Sequence, residues 1–386
     1  MVTPLFWLMA AATSCSVGDR SVCKPGHYCA AELDARTRIC PERGTCAPIP
    51  PVPDLVLSLP VPAGQRIFCS KGSLTEGGDT HSTCSETRRF ALDLASSAFE
   101  APSLVLASAD GVAHGWGDCP TTDLNHQPPD STCNVGLGNL VRIQHAGDLF
   151  TQYAHLSAIL VGDGQAVRRG DPIGVEGNTG AAGPKHLHFS LHRGDAARLE
   201  HPSPSLPMRL RLRGARVVES LAIRCRRAGP DGGPARETAY FSDNLVGRAP
   251  AQIGFAPLPR LALEYAVGQI FVEATRKEGI TRLRAAPNEP VARYWLAVAL
   301  DLDGNRSGAR TIFSALAASQ TGPTWIRAWS HLRMAEIDAL AGRGAQAGLL
   351  LERARQFSAM TGDVDFLRYA DYVRRLVVLQ TREGER

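Results

Sequence analysis

His186-Leu187-His188 places two histidines two residues apart, the spacing that puts both imidazoles on one face of a β-strand. Upstream lie His155, in Tyr153-Ala-His155-Leu156, and Asp93, in Phe90-Ala-Leu-Asp93. A hydrolytic zinc centre needs three protein ligands, typically His nitrogens and a carboxylate, with a fourth position left to water. The metal brings that water's pKa to about 7 and polarises the scissile carbonyl, and a neighbouring imidazole moves a proton or steadies the developing charge. One carboxylate and three histidines cover these tasks, so a mononuclear zinc hydrolase is expected. Singly, each group has an ordinary reading. An Asp caps turns, a His packs in cores, and the face bearing His186 and His188 also carries Ser190 and His192, as a solvated strand face does. His145 and His192 are expected at the surface or rim, without a role.

The elements that must position these groups are short strands. From about 54 to 200, runs such as Leu104-Val-Leu-Ala, Leu140-Val-Arg-Ile-Gln and His186 to Leu191 alternate with Gly, Pro and Asp/Asn turns. That spacing suits an all-β antiparallel sandwich or barrel. Met208 to Arg213 and Val217 to Arg224 are expected to complete the same sheet, and Gly229 to Gly233 to form a loop. Beyond about 258 apolar residues recur at helical spacing through Leu261–Ala274, Val291–Leu300, Ala309–Ala317 and Ile326–Leu340. Gly304, Ala309 and Phe313 are echoed 38 positions on by Gly342, Ala347 and Leu351. This weak repeat resembles tetratricopeptide-like helical hairpins, though its period is longer than theirs, and a plain bundle is the alternative. Such a layer offers a surface for a protein partner.

Length, charge and cysteines bound the rest. At 386 residues two or three domains are expected, and 44% hydrophobic with 21% charged residues is an ordinary globular balance. A net charge of +4, with no dense Lys/Arg run, gives no footprint of nucleic-acid binding. Nine of the ten cysteines precede residue 134 and the tenth is Cys225. Paired C-x2-C knuckles of a zinc ribbon are absent, so disulfides in an oxidising compartment are expected. Residues 16 to about 47 hold four of them with almost no aliphatic run, a unit too small to fold without bridges, and Pro48-Ile-Pro-Pro-Val-Pro53 follows as a stiff linker. Pro4 to Ala12 is apolar and too short to span a bilayer, which suits a signal peptide. Ala10 to Ala12 offers a cleavage site; alternatively Ala12-Thr-Ser-Cys15 resembles a bacterial lipoprotein signal with Cys15 as the lipidated residue and sole membrane anchor. The expected location is outside the cytoplasm: periplasmic, outer-membrane-anchored or secreted.

From about Ile67 to Arg193 the chain resembles the lysostaphin/LytM-type zinc metallopeptidases, which cut peptide cross-links of bacterial peptidoglycan. The resemblance runs through Phe90-Ala-Leu-Asp93, Ala109-Asp-Gly111, Gly138-Asn139-Leu-Val, Tyr153-Ala-His155-Leu156, Val167 to Gly180, and Gly183-Pro-Lys-His186-Leu-His188-Phe. It implies a duplicated hybrid motif fold, one Zn2+ per chain, Asp93 and His188 as metal ligands, and His155 and His186 as the catalytic pair. The usual first ligand is a His four residues before the Asp, but position 89 is Arg, which stays protonated and has no lone pair to give. His81 is taken as the substitute ligand, with a Cys69 to Cys84 bridge pinning its loop; His114 and His126 are the fallbacks. Cys119 and Cys133 are expected to bracket a stapled insertion. The implied organisation is a signal segment over 1–15, a Cys-rich segment and linker over 16–53, a zinc peptidase domain over 54–225, an extended linker over 226–257 and a helical domain over 258–386. The implied activity is metallo-endopeptidase cleavage of wall peptide; Arg89 leaves a second reading, a non-cleaving wall-binding or regulatory scaffold.

Overall fold

Strands form where apolar residues alternate with polar ones, and the two faces of each strand then meet different surroundings. A computed structural model of the chain describes residues 14–16, 23–31, 41–74, 81, 85–96, 103–119, 130–182, 185–199, 203–223, 225, 240–247, 259–286, 288–319, 322–357, 360 and 364–384. The apolar run before Ala12, Cys40, Cys84, His126 and the Gly229 to Gly233 stretch lie outside the described residues.

Strands β1 (Ser14–Ser16), β2 (His27–Ala30) and β3 (Arg43–Pro48) form a three-stranded sheet, the Cys-rich head, in the order β1-β3-β2. It is tied by Cys15–Cys29 and Cys23–Cys46. Cys15, the residue that the lipoprotein alternative would lipidate, is buried in β1 and bridged to Cys29. Ser14 and Cys15 pair with Thr45 and Gly44 of β3 in the head sheet.

There follow β4 (Val56–Ser58), β5 (Arg66–Lys71), β6 (Leu92–Ser96), β7 (Leu104–Leu106), β8 (Gly111–Trp116), β9 (Asn139–Gln144), β10 (Leu149–Ile159), β11 (Gln165–Val167) and β12 (Pro172–Glu176). The β region closes with β13 (Leu187–Arg193), β14 (Ser205–Leu206), β15 (Arg209–Leu212), β16 (Arg216–Glu219) and β17 (Tyr240–Phe241). Eleven of these strands make one antiparallel sheet along β11-β8-β9-β10-β13-β6-β5-β17, with β12 joining β10 to β7 and β14 joining β13. On β13, Leu187, Phe189 and Leu191 enter the main core with Ile143, Tyr153 and Leu92, while the even-numbered residues face the other way.

Two sequence expectations change here. The hairpin β15–β16 does not extend the large sheet; β15 pairs in parallel with β4 and the three strands form their own sheet. Within the stretch expected as linker, residues 240–247 belong to the β region: β17 pairs with β5, and the Asn244 side-chain amide donates to the Leu59 and Ala107 carbonyls.

The C-terminal region comprises α1 (Pro259–Ile270), α2 (Arg276–Ala285), α3 (Pro290–Leu302), α4 (Arg306–Ala318), α5 (Thr324–Leu340), α6 (Gly344–Arg355) and α7 (Val364–Gly384). The echo at 38 residues falls on the turns before α4 and α6. Gly304 (φ 87°) and Gly342 (φ 75°) take the left-handed conformation that ends a helix, and Ala309, Ala347, Phe313 and Leu351 are buried in the helical core. Asp338 on α5, fully buried, receives both Arg310 of α4 and Arg343. Helix α1 lies against the large sheet, burying Tyr265 with Leu104, Ala158 and Val175. A Cβ on Gly268 would stand 2.8 Å from a Leu104 methyl, so a larger residue at this crossing would force that side chain to shift.

Candidate metal centre

Asp93 on β6 and His188 on β13 are direct partners in an antiparallel register, which sends both side chains to the same face. The Asp93 Oδ1 atom lies 3.0 Å from His188 Nδ1. His81 arrives from the segment between β5 and β6, with Nε2 3.1 Å from the same Oδ1 and 3.2 Å from His188 Nδ1. All three residues are at most 3% exposed.

Three donor atoms so nearly equidistant match a metal better than a hydrogen-bond chain. Tetrahedral zinc ligands at 2.0–2.1 Å stand about 3.3 Å from one another. A triangle with edges of 3.0 to 3.2 Å is close to that face. The buried far-side ring nitrogens, His81 Nδ1 and His188 Nε2, have no hydrogen-bond partner among the described residues. The donor set, two imidazoles and a carboxylate, is one that zinc accepts. These residues could therefore hold a metal.

His155 reaches the same face by a backbone irregularity. In β10, Ala154 is the partner of His188, so strict alternation would turn His155 toward the opposite, core side. The register against β9 slips between Tyr153 and Leu156, and His155 takes φ 65°. This bulge swings the imidazole across to ring-centroid distances of 4.8 Å from His186 and 5.9 Å from His188. Its Nδ1 lies 2.8 Å from the Thr179 carbonyl, to which it donates, leaving Nε2 as the ring's lone-pair atom. Thr179 is fixed in turn, its hydroxyl donating to the Leu156 carbonyl and accepting from the Asn139 amide. His186 precedes β13, with Nε2 3.6 Å from the second carboxylate oxygen of Asp93 and a side chain 14% exposed. It is the most open of the five.

The electrostatics keep Asp93, His188 and His155 unprotonated at neutral pH. Burial pushes His188 down to about 4 and holds His155 well below the ordinary histidine value. Burial would raise Asp93, but His186, His81 and the hydrogen bond from His188 outweigh it, and the carboxyl sits well below its usual range. At neutral pH an ionised Asp93 thus stands beside neutral His188 and His155, the forms in which these groups bind metal or accept protons.

The remaining candidates lie elsewhere. Arg89 turns away from the centre, donating to the Tyr28 hydroxyl of the head with its guanidinium 5.2 Å from that ring's centroid. His114 pairs with exposed Asp163. His145 and His192 were expected at the rim, but both are buried: His145 bridges the Asp110 carbonyl and Thr151, and His192 bonds Ser190 and the Ser203 carbonyl while stacking on Phe150. The bridge expected between Cys69 and Cys84 is replaced by Cys69–Cys225, which ties β5 to a residue 156 positions on. Cys119–Cys133 forms as expected. Sequence reasoning missed Thr179, whose only local signal is its place in the Gly177-Asn-Thr-Gly180 turn beside the histidine strand.

Residues 92–199 match the model of peptidase family M23. The match includes Asp93, His155, His186 and His188 and begins after His81 and Arg89. Peptidoglycan DD-endopeptidase ShyA of Vibrio cholerae is 54% identical over 54 residues, 14% of this chain and 13% of that protein. DD-carboxypeptidase/endopeptidase Mpg of Neisseria meningitidis is 48% identical over 54 residues, 14% and 12% of the two chains. Cell division protein DipM of Caulobacter vibrioides is 36% identical over 88 residues, 22% and 12%. The chain thus spans only about an eighth of the length of these relatives. The catalytic domain of lysostaphin from Staphylococcus simulans overlays at 24% identity and a TM-score of 0.21, over 27% of this chain and 67% of that one.

Proposed function

We propose that this chain is an exported zinc metallo-endopeptidase that hydrolyses amide bonds in the stem or bridge peptides of bacterial peptidoglycan. The reading is carried by one observation: Asp93 Oδ1, His188 Nδ1 and His81 Nε2 share a single corner at mutual distances of 3.0 to 3.2 Å. The M23 match over residues 92–199 and the wall-peptidase names of the relatives supply the substrate class.

In this reading His81, Asp93 and His188 hold one Zn2+. When bound, zinc lowers the pKa of a coordinated water to about 7 and polarises the peptide carbonyl. His155 takes the proton at Nε2, because Thr179 occupies Nδ1 and keeps the ring in the tautomer with its lone pair toward the centre. Accepting a proton is costly in so buried a ring, so His155 is primed to pass it on to the leaving amine. His186, nearer the opening, donates to the oxygen on which charge develops. Asp93 Oδ2 lies 3.6 Å from His186 Nε2, so its negative charge faces that ring.

Four bridges among eight described cysteines, Cys15–Cys29, Cys23–Cys46, Cys69–Cys225 and Cys119–Cys133, support an oxidising compartment. The helical region, α1 to α7, is proposed to serve as a surface for a protein partner. The test is direct. Purified protein should carry about one zinc per chain and release peptide fragments from isolated sacculi. Asp93→Ala should lose both properties and His186→Ala only the second. A His186→Ala protein that releases peptides at the wild-type rate overturns the mechanism.

A further inference from the structure

The segment carrying His81 is gripped from outside by the Cys-rich head. Tyr28 of β2 stands edge-on to Phe90, with ring centroids 5.8 Å apart and planes at 78°. The neighbouring Arg89 lays its guanidinium over the Tyr28 ring and donates to its hydroxyl. Tyr28, Leu74 and Phe90 form a separate buried cluster, lined by Ala30, Ala47 and Ile49 of the head side. Leu74 and Phe90 bracket the stretch that contains His81. Its base is closed by the Leu74 amide donating to the Arg89 carbonyl and the Ser73 hydroxyl donating to the Phe90 carbonyl. Cys29, next to Tyr28, is bridged to Cys15, so the head presents Tyr28 from a cross-linked sheet.

The arrangement explains Arg89. Four residues before Asp93, where the resembling peptidases carry their first ligand, this chain has a side chain that cannot bind metal and is 6% exposed. A buried guanidinium is costly unless paired. Here Glu86 stands 3.8 Å from it as the charged partner, and Tyr28 supplies an acceptor and a ring face.

We propose that Tyr28 and Arg89 are positioning residues for His81: the head clamps the base of the His81 segment and thereby sets the affinity of the metal corner. The proposal rests on reading that corner as a metal site. Asp93 and His188 are placed by strand pairing, whereas His81 lies outside any strand, between Leu74 and Phe90 in sequence, so its position depends on what holds those flanking residues. Changes to residues that support metal ligands commonly weaken binding by about 10–100-fold.

The test uses the full chain and measures zinc affinity by competition with a chromogenic chelator, alongside the visible spectrum of the Co(II) form. Tyr28→Ala and Arg89→Met should each weaken zinc binding by about tenfold or more. The double variant should be no weaker than the worse single one, because both changes break one clamp. Tyr28→Phe, which keeps the ring and loses only the hydroxyl, should fall between. Excess zinc should restore wild-type kcat in every clamp variant, since the ligands and His155 are untouched; a merely misfolded protein does not recover this way. Clamp variants that bind zinc as tightly as wild type, or a kcat that stays low at saturating zinc, overturn the proposal. A wild-type chain that takes up no zinc overturns the metal centre itself, which separates the two failures.

Discussion

Asp93 and His188 face each other in register across β6 and β13, Oδ1 to Nδ1 at 3.0 Å. A slip of one residue would turn His188 to the side where Phe189 packs and break the centre. The large sheet is therefore the part of the fold that specifies chemistry. It fixes two of the three donors through backbone hydrogen bonds alone, and the head packs on Leu74 and Phe90, which flank the third in sequence. His155 is added by a bulge, at the cost of a strained backbone.

That strain gives a first prediction. At φ 65° any residue with a Cβ is disfavoured by about 1–2 kcal/mol, and glycine is not. His155→Gly and His155→Ala should both slow hydrolysis by about 10²–10⁴-fold with zinc retained. The glycine variant should nevertheless be more stable than the alanine variant by about 1 kcal/mol. Urea denaturation of the pair decides it, and an alanine variant of equal or greater stability contradicts the assigned backbone strain.

Thr179 gives a second. Its hydroxyl joins the Leu156 carbonyl to the Asn139 amide, and its own carbonyl orients His155. Thr179→Val keeps the shape but strands a buried donor, at about 1–3 kcal/mol. The His155 ring should then lose its fixed orientation. Activity is expected to drop about tenfold while zinc affinity stays within about twofold. Equal losses in both would place Thr179 in the metal corner instead of behind His155.

The Cys69–Cys225 bridge anchors β5 next to the strand that carries Asp93, and Ser70 of β5 donates to the Asp93 carbonyl. Replacing both cysteines by serine frees a very long loop in the unfolded chain and should cost about 2–5 kcal/mol. A chemical-denaturation midpoint unchanged from wild type would count against any stabilising role. The gain depends on oxidation, so under reducing agent, which opens the remaining bridges in both proteins alike, the difference between wild type and double variant should vanish.

How much of this was legible in the sequence follows from range. Strands announce themselves by a period of two, and helices α1, α3, α4 and α5 by apolar spacing, so the β region and the start of the helical one could be read locally. His186 and His188 share a face for the same reason. Helix α2 was missed because its charged sequence buries little beyond Ile280 and Leu283. The true partner of Cys69, the clamp of Tyr28 on Arg89 and the burial of His145 and His192 are contacts between distant segments, and no local pattern encodes them. The bulge at His155 has no signature in Tyr153-Ala-His155-Leu156 either; it becomes visible only when β9 and β10 are laid side by side.

His192 supplies the last prediction, independent of metal. Its ring is buried between Phe150 and the Ser203 carbonyl, and burial pushes it from 6.5 down to about 3. Arg142 adds to the depression. A folded-state value below the unfolded one means that the unfolded chain takes up a proton first as pH falls. The stability associated with neutral His192 is therefore fully present above about pH 6.5 and is lost progressively toward pH 3, with a limiting slope of about 1.4 kcal/mol per pH unit. His192→Gln has no such proton to take up. Its unfolding free energy, followed by urea titration between pH 7 and pH 4.5, should decline less steeply than that of the wild type, whatever the two values are at pH 7. Parallel slopes would mean that His192 is protonated as readily in the folded protein as in the unfolded chain.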